Sequence, residues 1–112
     1  MSGGAQLSVT DLRRSNRHPV DLAMIGEHRR YGDVLLNVIN ISTTGYMVRG
    51  EPVLGRGERV TIRLPQIGRI EAFVVWIDGD RTGFQFERII RLDDFARMIK
   101  DLQPNPRLRL LH

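Results

Sequence analysis

The sequence predicts a mainly β fold followed by a single helix, on three observations. Short segments of alternating apolar and polar residues recur at near-regular spacing between residues 19 and 87. Clusters of Gly, Pro, Asn and Asp punctuate them. At Leu92 the apolar period changes from that of a strand to that of a helix. Six short strands so spaced describe a barrel or a sandwich. At 112 residues, 41% hydrophobic and 27% charged, the chain has the material for one such core and no second domain.

Each element has its own signal. Residues 1–11 are small and polar with two adjacent glycines, and read as a flexible arm. From Pro19, residues Val20, Leu22 and Met24 alternate with Asp21, Ala23 and Ile25, a strand period. Gly26 to Gly32 reads as a charged turn. Val34 to Ile41 is β-branched and apolar apart from Asn37 and Asn40, which predicts a second strand. Ser42 to Gly45 turns the chain, and Tyr46, Met47 and Val48 open a third strand. Gly50 to Gly57 is a loop. Val60, Ile62 and Leu64 alternate with Arg59, Thr61 and Arg63 in a half-buried strand. Pro65 to Gly68 turns, Ile70 to Ile77 forms the fifth strand, Asp78 to Asp80 a tight turn, and Gly83 to Glu87 completes the hairpin. Trp76, Phe84 and Phe86 fall at strand spacing among apolar neighbours and are expected in the core. Gly83 is expected at a bulge or a close backbone approach. Leu92, Phe95, Ala96, Ile99 and Leu102 then mark one helical face, with Asp93 and Asp94 suited to the N-terminal dipole. That face is expected to cover one open end of the sheet. Pro104 and Pro106 stop the helix, and residues 104–112 read as a flexible tail.

The charge is +4 and almost wholly arginine, since Lys100 is the only lysine. Arginine's planar fork donates pairs of hydrogen bonds to phosphate and to guanine edges, and it stacks on flat rings. The composition thus suits an anionic or nucleotide-like partner. It equally suits a solvated basic surface. Cysteine is absent, which excludes disulfides and thiolate metal sites. Without a long apolar stretch or an apolar leader, no membrane insertion and no cleaved signal are expected, and the location is expected to be cytoplasmic.

Catalysis finds little footing. His18, His28 and His112 are scattered, with no metal-ligand spacing. There is no phosphate loop and no nucleophile elbow. Asp93 and Asp94 are neighbours that point apart on a helix. The chain is expected not to be an enzyme and to need no cofactor. The glycosylation-like triplet Asn40-Ile41-Ser42 is read as coincidence.

Two short segments carry more. Arg13-Arg14-Ser15-Asn16-Arg17 precedes the first strand, and Asn40-Ile41-Ser42-Thr43-Thr44-Gly45 spans the turn between the second and third. Alone, the first is an ordinary basic arm and the second ordinary turn chemistry. Together they resemble the two-part signature of the PilZ family, R-x-x-x-R followed by [DN]-x-S-x-x-G. Val74-Val75-Trp76 and Gly83-Phe84-Gln85-Phe86 are similar to that family's closing hairpin. The resemblance covers roughly residues 12 to 102. It implies a six-stranded antiparallel β-barrel of PilZ type with a C-terminal α-helix packed at one end, filling residues 12–103.

It also implies a ligand, cyclic di-GMP, and the residues that hold it. Arg13 and Arg17 would take phosphate and guanine, with Arg14 adding a contact from outside the motif positions. Asn40, Ser42 and Gly45 would form the floor. The chemistry is consistent: guanine O6 and N7 accept an arginine fork, and its opposite edge donates to an Asn or Ser oxygen. Asn40 is neutral where many relatives carry Asp, so affinity is expected to be modestly lower. The implied action is a receptor or adaptor whose arginine arm folds over the nucleotide and which signals to a downstream effector protein. Two other readings stand beside it: a PilZ-like interaction protein that binds no nucleotide, and a basic small barrel that binds nucleic acid. Low aromatic content, 6%, counts against the last, since a stacking platform needs exposed rings.

Overall fold

The computed structural model describes residues 17–102. Six strands and one helix follow in order: β1 (His18–His28), β2 (Gly32–Ile41), β3 (Gly45–Arg49), β4 (Arg59–Leu64), β5 (Gly68–Asp78), β6 (Arg81–Phe86) and α1 (Leu92–Leu102). The strands form a closed barrel in the order β1-β2-β3-β6-β5-β4. Every neighbouring pair is antiparallel. Closure is brief, with Glu27 opposite Thr61 and His28 opposite Val60 joining β1 to β4.

Alternation places one side of each strand inside. Leu36 and Val38, Tyr46 and Val48, Val60, Ile62 and Leu64, Ile70, Ala72 and Val74, and Phe84 and Phe86 fill the interior. Burying each large apolar side chain contributes about 1.5–3 kcal/mol. The Tyr46 ring stacks on Phe84, centroids 4.7 Å apart and planes 9° from parallel. Burial drives the Tyr46 phenol well above its ordinary range, so it stays neutral. Helix α1 buries Phe95, Met98 and Ile99, at helical spacing, against the same core. Its Phe95 ring meets the His18 ring of β1 at 5.3 Å, and Gln66 of the β4–β5 turn donates to Asp101 at 2.9 Å. The helix spans the expected residues.

Two expectations are corrected. Strand β1 does not end at Ile25; it runs through Gly26 to His28, leaving only Arg29 to Tyr31 as the turn. Gly26 is an inward position, where an added Cβ would lie 2.9 Å from Leu36 Cδ1. The glycine packs against Leu36 inside the barrel and has no positive φ, so it does not mark a turn. Trp76, expected in the core, lies half-buried on the outer wall. A bulge between Val74 and Trp76 is the cause. One extra residue reverses the alternation, so a residue two beyond buried Val74 faces outward.

Candidate functional site

A second bulge, between Val38 and Asn40 in β2, does the same there. Val38 is buried, and strict alternation would also turn Asn40 inward. Instead Asn40 stands opposite Met47, while Ile41 stands opposite buried Tyr46. The register then continues along the outside of the barrel, with Met47 opposite Gly83 and Gly83 opposite Trp76. Directly opposed residues share a face. One outward row therefore reads Pro19, Asn40, Met47, Gly83, Trp76. From Asn40 to Trp76 it crosses three strand spacings, about 14 Å.

Gly83 makes the row a shelf. An added Cβ there would collide with Nε1, Cε2 and Cζ2 of the Trp76 indole, so the indole occupies the space a side chain at Gly83 would need. The bulge lies in β5, opposite Gly83 rather than at it, and what approaches the glycine is the Trp76 side chain rather than another backbone. Beside the shelf, Arg17 Nη1 donates to Asn40 Oδ1 at 2.9 Å. The Asn40 amide nitrogen in turn faces Met47 Sδ at 3.9 Å. Arg17 is exposed, and no ion pair with another described residue holds its guanidinium.

The motif residues divide into two groups. Arg17 and Asn40 meet on the outer wall. Ser42 and Gly45 lie beneath it. Ser42 is fully buried, and its Oγ accepts the Thr44 N–H at 3.2 Å and lies 3.1 Å from Thr44 Oγ1. Its own N–H donates to the Gly45 carbonyl at 2.8 Å and closes the turn. Gly45 does not adopt a positive φ; an added Cβ would lie 2.0 Å from the Phe84 carbonyl oxygen, so β6 backbone fills the space a side chain would need. The Thr43 and Thr44 carbonyls accept the N–H groups of Ile90 and Phe86, at 2.9 and 2.8 Å. The turn is thereby fixed to the end of β6 and the lead into α1. Arg13 and Arg14 lie outside the described residues.

Sequence reasoning missed the shelf. The alternation in the sequence marks Met47 only as a strand residue and Trp76 as core. The available signal was a large aromatic in one arm of a hairpin with a glycine in the other. Among the described residues no cluster of His, Asp or Glu is arranged to hold a metal ion. No helix among them is long and apolar enough to cross a membrane.

A small closed barrel carrying cationic and polar side chains beside an outer aromatic shelf has the form of a ligand-binding module. The family model described as PilZ domain matches residues 11–102, and the chain belongs to the PilZ domain family. That is a family of cyclic di-GMP receptors, built as ligand-binding adaptors. Among curated proteins, none matches the chain.

Proposed function

We propose that this protein binds cyclic di-GMP on the outer wall of the barrel and passes the signal to a protein partner in the cytoplasm. The observation that carries the reading is the meeting of Arg17 with Asn40, 23 residues apart in sequence, at the edge of the Met47–Gly83–Trp76 shelf. An exposed arginine fork, an amide that offers both donor and acceptor, and a flat aromatic surface are what a guanine nucleotide requires. Arg13, Arg14 and Arg17 supply charge for its phosphates. Asn40 reads a guanine edge, and Ser42 with Gly45 holds the turn that presents Asn40. Residues 12–103 act as the receptor domain, with 1–11 and 104–112 as appended segments. Folding of the arginine arm over the nucleotide is the switch.

The test is isothermal titration with cyclic di-GMP, with GTP and linear pGpG as controls. Selective binding in the low micromolar range or tighter, about −8 kcal/mol or better, is expected. Absence of heat with an unchanged melting temperature would overturn the reading and favour an interaction protein that binds no nucleotide.

A further inference from the structure

A second outward row runs beside the shelf, one step further along the strands. It reads Asn37, Arg49, Arg81 and Asp78 across β2, β3, β6 and β5. Arg49 follows Met47 by two residues and so shares its face, about 7 Å along β3. It stands directly opposite Arg81. Like charges in that position destabilise a sheet. Arg81 is balanced, because the Asp80 carboxylate lies 2.9 Å away and Asp78 stands opposite it. Arg49 is exposed, and its side chain has neither ion pair nor hydrogen bond among the described residues.

We infer that Arg49 is a second phosphate anchor of the nucleotide site. This rests on the cyclic di-GMP reading. A cyclic dinucleotide carries two phosphates on opposite sides of its ring. With one phosphate held at the Arg17 edge, a ligand lying on the shelf presents the other toward the second row. The uncompensated guanidinium of Arg49 is the cation there. A guanidinium fork beside Met47 also favours a dianion that spans both rows over a mononucleotide that reaches only one.

The experiment is titration of wild type, Arg49→Gln, Arg49→Lys and Arg63→Gln with cyclic di-GMP. Arg63 is an exposed β4 arginine without an ion pair among the described residues, so its substitution removes the same charge away from the shelf. Expected are about tenfold weaker binding for Arg49→Gln, partial recovery in Arg49→Lys, and a change within about twofold for Arg63→Gln. The melting temperature of free Arg49→Gln should equal or exceed that of wild type, because the repulsion with Arg81 is gone. Wild-type binding with Arg49→Gln unchanged, or with Arg63→Gln weakened as much, overturns this inference and leaves the receptor reading standing. Failure of wild type itself to bind overturns both.

Discussion

At the scale of single residues, the motif mixes two kinds of side chain that sequence alone does not separate. Arg17 is exposed, and among the described residues its side chain bonds only to Asn40. Arg17→Ala is therefore expected to weaken cyclic di-GMP binding by about 1.5–3 kcal/mol while leaving the melting temperature unchanged; a large drop in melting temperature would contradict its placement. Ser42 is buried and its hydroxyl is spent within the turn. Ser42→Ala should lower the unfolding free energy by about 1–2 kcal/mol in a denaturant titration without nucleotide. Gly45→Ala places a methyl against the Phe84 carbonyl and should cost about 3 kcal/mol or more by the same measurement. The sequence marked all of these positions. It did not show that Ser42 and Gly45 are buried, because the β6 backbone that presses on Gly45 lies about forty residues away.

At the scale of elements, the strands and helix were legible where period and turn residues agreed. Helix α1 followed from its apolar spacing and the prolines after it. Strand β1 runs beyond the length its alternation predicts, because Gly26 has a turn residue's identity and an inward strand position. The far end of β1 also carries the joint that closes the barrel. His28 Nδ1 accepts the N–H groups of Arg30 and Tyr31 at 3.0 and 3.1 Å, and its Nε2 faces Glu58 Oε1 at 3.0 Å. Glu58 also accepts the Gly55 N–H. That backbone bond, followed by the contact with His28, holds the Glu58 carboxyl below its usual 4.5 against an opposing desolvation effect. A lowered carboxyl favours the folded state above its unfolded pKa, and the benefit fades as pH falls through the folded value. Glu58→Gln should therefore melt below wild type at pH 7, with the gap narrowing below about pH 4.5. A gap that stays constant down to pH 3 would mean that the charge of Glu58 contributes nothing.

At the scale of the whole molecule, closure joins every strand to two neighbours and makes one core of barrel and helix. A single domain of this size should unfold in one cooperative transition, with circular dichroism and Trp76 fluorescence coinciding. Trp76 lies on the outer shelf, so the same fluorescence should respond to saturating cyclic di-GMP without any change in secondary structure. A silent Trp76 in the presence of bound ligand would move the site off the shelf. The Ser42–Gly45 turn is bonded through Thr43 and Thr44 to Ile90 and Phe86. If nucleotide binds at Asn40 as proposed, these bonds would give it a short mechanical route to α1.

By itself the sequence determined the six strands, the helix, the arginine-rich charge and the two motif segments, because period, turn chemistry and short spacings are local properties. Tertiary structure alone decided which face each side chain takes. Two bulges, at Val38–Asn40 and Val74–Trp76, reverse the alternation and bring Asn40 and Trp76 onto the same outer row. A bulge is set by the partner strand's register, and that register depends on residues distant in the chain.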